Sequence, residues 1–309
     1  MRRPPVAIPK RKGLPMKLLR AATLTVSDLE RSIGNYTKYF DYAVVERGDV
    51  PADLAASWAT PASAGLPYAV MQPSSGAEVF IRFVQQPAVP GYQALRSYGW
   101  NAIEICVQDV MEANARMENS PFEIIGPPRE IEGLDAIFPM QVKGPDEEIV
   151  YLTQIRDDLP AFDLPRAASV IDKLFILVLG CSDMKASLDW MVRHCGLAVG
   201  REEMEIVYTM IAKAYGTPME ELHKISTMIH GRDVFLELDQ YPAAAIQRPH
   251  NDGMLVPGCA IGTLWHPEFD SLPGPWITPP TRREGPIYKG KRAGTIKDLD
   301  GALIEIVEA

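Results

Sequence analysis

The sequence predicts an α+β protein built from one strand–helix–strands unit used four times, in two tandem halves. The first ground is a long internal repeat: VSDLERSIGNYTKYFDYAVVER (residues 26–47) returns as CSDMKASLDWMVRHCGLAVGRE (residues 181–202). Ser27, Asp28, Ser32 and Phe80 meet Ser182, Asp183, Ser187 and Phe235, each 155 positions later. The second ground is a weaker copy inside each half. NAIEICVQDVMEANARM (residues 101–117) is again a strand, an Asp-led turn and a helix, and PFEIIGPP (121–128) resembles GPWITPP (274–280). The third is that both halves close on a hairpin, residues 142–155 and 296–309. A period this long copies a whole domain, not a solenoid repeat.

Taken in order, residues 1–16 are basic and proline-rich without the apolar segment of a secretory signal, so a flexible tail is expected there. Residues 22–26 alternate as a strand does, and Ser27-Asp28 supplies an N-cap. Leu29, Ile33, Tyr36 and Phe40 then form one face of an amphipathic helix, a ladder repeated by Met184, Leu188, Met191 and Cys195. Short strands follow, ending in EVFIRFVQQP (78–87) and DVFLELDQYP (233–242), which sets Arg82 opposite Glu237. The polar, proline-punctuated residues 156–169 read as a linker between domains at 17–155 and 170–309. In the second half, residues 204–223 form an insertion with helical spacing at Ile206, Met210, Ile211 and Ala214. RPHNDGMLVPG (248–258) joins the last two units, and Asp300-Gly301 between apolar runs marks a tight turn.

Bulk properties narrow the function classes. A hydrophobic content of 47% with 23% charged residues is that of a soluble globular protein, and 309 residues suffice for two cores. The formal charge of −9, without a basic stripe, argues against a nucleic-acid partner. The longest apolar run, residues 174–179, is too short to span a membrane. Four scattered cysteines without a C-x-x-C pair suit a reducing, cytoplasmic setting and buried thiols. A small molecule is the expected partner, and the chain is expected to be a monomer or homodimer. No phosphate loop, nucleophile elbow or dinucleotide fingerprint occurs.

V-S-D-L-E-R-S ahead of a helix with an aromatic pair, and D-x-D-G-x-x-I-E-I (298–306) closing the chain, together resemble the vicinal oxygen chelate superfamily. That superfamily includes glyoxalase I, bleomycin-resistance proteins, methylmalonyl-CoA epimerase and extradiol dioxygenases. The resemblance covers nearly the whole chain beyond Lys17. It implies βαβββ modules whose mixed sheets pair into two cup-shaped, glyoxalase-like domains around a ligand. Function remains a matter for the site.

The resemblance also implies positions for a divalent ion held by about four His, Glu or Gln ligands, as Fe, Mn, Ni or Zn would take. In the first half these fall at Ala21, Arg82, at or beside Ala102, and Tyr151; none is a usual ligand, and residues 1–160 contain no histidine. In the second half they fall at Lys173 or Ile176 depending on register, at Glu237, within residues 259–265, and at Glu305. Lys173 near Glu237 and Glu305 would form a salt-bridged triad in place of an ion. No cofactor is then expected. If a metal is bound, Glu237 and Glu305 would ligate it, with His223 or His266 lending an imidazole.

These residues define an expected function. The second domain binds a small organic molecule, aromatic or carbonyl-containing, under the insertion, with Tyr208, Met210, Tyr215 and His223 lining it. Glu305, Glu237 and Lys173 carry lyase or isomerase proton-transfer chemistry without a metal. His223 and His250 are further proton-shuttle candidates, whereas His194 and His230 read as packing residues. Two alternatives come from other classes: a sequestering protein of bleomycin-resistance type, and a metal-dependent extradiol-type dioxygenase.

Overall fold

The computed structural model describes residues 17–131 and 133–309, so the tail expected at residues 1–16 lies outside the described residues. The first unit runs β1 (Leu19–Val26), α1 (Leu29–Phe40), β2 (Tyr42–Asp49), α2 (Ala52–Ser57), β3 (Pro67–Pro73) and β4 (Phe80–Gln85). The second comprises β5 (Gly99–Val107), α3 (Val110–Met117), β6 (Glu123–Gly126), β7 (Ile137–Lys143) and β8 (Ile149–Ile155). The third comprises β9 (Ile171–Cys181), α4 (Met184–Cys195), β10 (Ala198–Val207), α5 (Thr209–Tyr215), β11 (Leu222–His230) and β12 (Asp233–Gln240). The fourth has β13 (Gly258–His266), β14 (Thr281–Arg282), β15 (Arg292–Lys297) and β16 (Leu303–Glu308).

The repeated Asp does what its position predicts. Asp28 accepts from the Arg31 N–H, Asp109 from those of Met111 and Glu112, and Asp183 from that of Ala186, capping α1, α3 and α4. The fourth unit departs from the pattern. In place of the helix it keeps only a short 3₁₀ turn, Phe269–Ser271. Pro267, Pro273, Pro275, Pro279 and Pro280 crowd this stretch, and each removes a backbone donor that a longer helix would need. The insertion of the third unit also divides: Ile206 falls on β10, and the helix begins only at Thr209.

Two eight-stranded mixed sheets result, ordered β14-β15-β16-β13-β1-β4-β3-β2 and β10-β11-β12-β9-β5-β8-β7-β6. Their composition corrects the expected division at 17–155 and 170–309. β1 runs antiparallel to β13 and β5 antiparallel to β9, so the first sheet joins units one and four and the second joins units two and three. Each half of the chain supplies half of each sheet. The physical cause is that the buried first strand of every unit bonds on one side to its own unit's last strand, leaving the other side free for a different unit.

Consecutive units are instead locked back to back. The closing hairpin of unit two offers Asp146 Oδ1 to the Ser27 N–H at 3.0 Å, and Arg31 Nη2 donates to Asp146 Oδ2 at 2.7 Å. The hairpin of unit four repeats the device, Asp300 Oδ2 accepting from the Ser182 N–H at 2.8 Å. The main core lies between: the α1, α3 and α4 ladders pack with Leu24, Phe83, Ile103, Leu177 and Ile304 from both sheets. Tyr36 stacks on Phe40 at 4.6 Å and meets Phe83 and Phe122 edge-on, tying α1 to unit two. The sheets approach closely at Gly262, where a Cβ would stand 2.7 Å from Leu177 and 2.9 Å from Trp100. Two smaller apolar clusters line the other, inner face of each sheet.

The segment at 156–169 is more than a linker, because Phe162 is buried in the inner cluster of the second sheet. All four cysteines are free and buried. Among the described residues no helix is long and apolar enough to cross a membrane.

Because each half holds half of each sheet, residues 1–160 or 161–309 expressed alone are expected to lack cooperative unfolding, and the two co-expressed to regain it. Circular dichroism melts check this; an independently folded half would contradict the cross-paired architecture.

Candidate functional site

On the first sheet the inner face is closed by a buried ion pair. In parallel register Thr23 lies beside Arg82 and Thr263 beside Glu305. Arg82 Nη2 meets Glu305 Oε2 at 3.2 Å, and the two residues are 2% and 1% exposed. Every polar side-chain atom of the pair itself is used. Arg82 Nε donates to Thr23 Oγ1 at 2.9 Å and Nη1 to the Tyr288 hydroxyl at 2.6 Å. Glu305 Oε1 accepts from Trp58 Nε1 at 3.0 Å and Tyr288 at 2.9 Å, and Oε2 also accepts from Thr263 at 3.0 Å. Trp58, just beyond α2, places its ring 4.6 Å from the guanidinium. Burial lowers the Arg82 pKa, but the Tyr288 oxygen and the Glu305 carboxylate outweigh it, so the guanidinium stays charged. Cavities of about 280 and 330 Å³ open on either side of Trp58, yet the polar groups at this centre already satisfy one another.

This arrangement overturns the expected triad. Glu305 lies on the first sheet, Glu237 on the second, and the partner of Glu305 is Arg82. Lys173 sits at the start of β9, where its charge acts on Asp233 and Cys106. Glu237 and Glu305 therefore cannot ligate one ion together. The donors around Glu305 do not fit a metal either, since a permanent cation already fills that role.

The second sheet carries the corresponding positions with different chemistry. Val178 lies beside Glu237, and Glu104 beside Tyr151. Ile176 takes the register opposite Glu104, which resolves the alternative left open for β9. Among the described residues no cation has replaced the arginine at the centre. Glu104 and Glu237 both line an apolar cavity of about 130 Å³ with Tyr151, Phe162, Phe175 and Tyr208. Glu104 accepts a hydrogen bond from Thr153, and the hydroxyls of Tyr151 and Tyr208 bond to each other. Asp239 lies two residues beyond Glu237 on β12 and therefore on the same face; it is 2% exposed, and the Tyr208 hydroxyl and the Glu237 carboxyl are its polar neighbours. Burial, then the charge of Glu237, pushes Glu104 up to about 8; burial raises Asp239 to about 7 and holds Glu237 well above the carboxylate range.

Arg201 also lines the cavity, but from an edge strand. The cross-strand row Arg201, Thr227, Glu237 sets it two strands from Glu237, roughly 10 Å at ordinary strand spacing. Two carboxyls and two phenols are not the imidazole–carboxylate set the resemblance implied. Among the described residues no group of three His, Cys, Asp or Glu side chains is placed to hold a metal ion. His266 is tied to the Cys195 carbonyl and the Glu268 N–H. His223 is buried on β11, its ring 6.4 Å from that of Tyr208 and its Nε2 4.0 Å from Glu221 Oε2.

Of the expected ligand-lining residues, Tyr208 faces this cavity. Met210 borders a separate groove beside Lys213, and Tyr215 packs between Arg96 and Tyr241. His250 borders the cavity beyond Trp58. Residue reasoning missed Glu104, Asp239 and the second role of Tyr151. A signal for Glu104 existed: a lone carboxylate inside the apolar strand NAIEICV.

Two outcomes follow. Replacing Arg82 with Met strands the buried Glu305 carboxylate and is expected to cost about 3–5 kcal/mol in denaturant unfolding. The double variant R82M/E305L should be more stable than R82M, and a double variant as unstable as the single would refute the pairing. For pH, the folded value of Glu104, about 8, lies above the roughly 4.3 of an unfolded glutamate. Its stabilising contribution is thus complete below pH ~4.3 and lost as pH rises through 8. Unfolding midpoints at pH 5.5 and 8.5 should differ less in E104Q than in the parent protein.

No protein-family model and no curated protein matches the chain. Solved structures do. Glyoxalase I from Zea mays is 17% identical, with 94% of this chain and 92% of that one covered at a TM-score of 0.59; a point mutant of the same enzyme gives 16%, 94%, 93% and 0.61. A putative dioxygenase from Bacillus subtilis is 12% identical over 94% of this chain and 86% of that one, at 0.57. At such identities the likeness is one of fold alone: the chain shares the fold of these glyoxalase I and dioxygenase structures.

Proposed function

We propose that the inner face of the second sheet binds a small organic molecule, aromatic or carbonyl-containing, and moves a proton on it by carboxyl acid–base chemistry of lyase or isomerase type. One observation supports this above others. Glu104 and Glu237 share an apolar cavity with no cation beside them, and Glu104 is raised to about 8. At about 8, Glu104 gives up its proton just above neutral pH and can then accept one from carbon, while Glu237, held well above the carboxylate range, keeps its own. The Tyr151 and Tyr208 phenols lie in the same lining, and burial keeps both protonated. Either can donate to an oxygen that gains charge as a neighbouring carbon is deprotonated.

The expected catalytic role moves accordingly from Glu305 and Lys173 to Glu104, with Glu237 retained. The Arg82–Glu305 centre holds the first sheet together.

The test is deuterium incorporation in D₂O, followed by NMR over a panel of aryl ketones and hydroxyketones. Glu104→Gln is expected to lower the rate by roughly 10²-fold or more while ligand-induced shifts at Tyr208 persist. Exchange at the parental rate in E104Q would end the acid–base reading. Tight stoichiometric binding without exchange in the parent protein would favour sequestration.

A further inference from the structure

The two inner faces share a fold position but balance charge in opposite ways. On the first sheet the carboxylate of Glu305 has Arg82 from its own chain. On the second, the residue in the place of Arg82 is Glu237, Glu104 stands in register beside Tyr151, and Asp239 is buried against Glu237 and the Tyr208 hydroxyl. Of the charged groups around this cavity, Glu104 comes from β5, Glu237 and Asp239 from β12, and the lone cation among the described residues, Arg201, from the distant edge of β10; Tyr151 and Tyr208 complete the titratable set.

We infer that this cavity is built for a ligand that carries a protonated amine on an aromatic or cyclic apolar body. The inference rests on reading the cavity as the ligand site. An ammonium group donates to Glu104 and Glu237 and supplies the positive charge that Arg82 supplies on the other sheet. Arg201 already stands 5.8 Å from the Phe162 ring centre, but the faces of Phe175, Tyr151 and Tyr208 attract a cation as well as an apolar ring. A divalent metal is a poorer match, because Glu104 and Glu237 are the only described His, Cys, Asp or Glu side chains in the cavity lining and most of the remainder is apolar. Binding a cation favours the ionised carboxyls, so a proton must leave as the amine enters.

Isothermal titration calorimetry of the full chain tests this with phenethylamine and its neutral counterpart 2-phenylethanol, at pH 7 in buffers of different ionisation enthalpy. The amine is expected to bind at least tenfold tighter than the alcohol, with net proton release. That preference should vanish in Glu104→Gln and in Glu237→Gln, conservative changes whose folding is checked by circular dichroism. Equal or tighter binding of the alcohol overturns the inference but leaves the cavity as a ligand site, provided Tyr208 and Phe162 resonances shift. Binding of Mn²⁺ alone at Glu104 and Glu237, with the amine excluded, also overturns it. Failure of both organic probes to perturb those resonances would remove the cavity reading and the inference together.

Discussion

Backbone pairing across the two halves governs everything else in this molecule. β1 and β5 each bond to their own unit's last strand on one side and to a first strand from the other half on the other side. A strand edge left open inside a compact chain carries unpaired N–H and C=O groups, and the opposing first strand satisfies them. Once β1 meets β13 and β5 meets β9, the partners on each inner face follow. Arg82 must face Glu305, and Glu237 must face Glu104, although neither pair is close in sequence. The back-to-back hairpin clamps then close a ring: sheet contacts join units one with four and two with three, while Asp146 and Asp300 join one with two and three with four.

Within that frame, charge is what sets the two inner faces apart. The first is electrically complete: one guanidinium, one carboxylate, and a donor or acceptor for every remaining polar atom of the pair. Breaking such a centre is costly, and it offers little to a ligand. The second is incomplete. Its carboxyls sit among Phe and Tyr side chains without a neighbouring cation, and the folded protein accommodates them by holding their protons. Uncompensated buried carboxyls lower stability as pH rises, the kind of local cost that folds retain at functional sites.

Much of the architecture was legible beforehand because it rests on short-range chemistry. The Asp-led caps at Asp28, Asp109 and Asp183, the apolar ladders of α1 and α4, and the tight turn at Asp300-Gly301 all depend on neighbours a few residues away. The site was only partly legible. The repeat and the insertion point to Glu237 and Tyr208, and both line the cavity of the second sheet. Glu104 was passed over because its neighbour Ala102 aligned with a metal position, and the strand register that sets Glu104 beside Tyr151 is not written in local spacing.

The sequence by itself determined the units: their number, their order, their caps, and which faces are apolar. It also determined that Arg82 and Glu237 occupy equivalent places, since the repeat offset is a property of the chain alone. Only the tertiary structure decided which unit pairs with which, and so whether Glu305 faces Lys173 or Arg82, and whether Glu237 faces Glu305 or Glu104. The reason is physical. Caps and amphipathic faces are set by interactions within a turn or two, whereas partner choice among four similar strand edges depends on packing summed over both sheets, which no local pattern encodes.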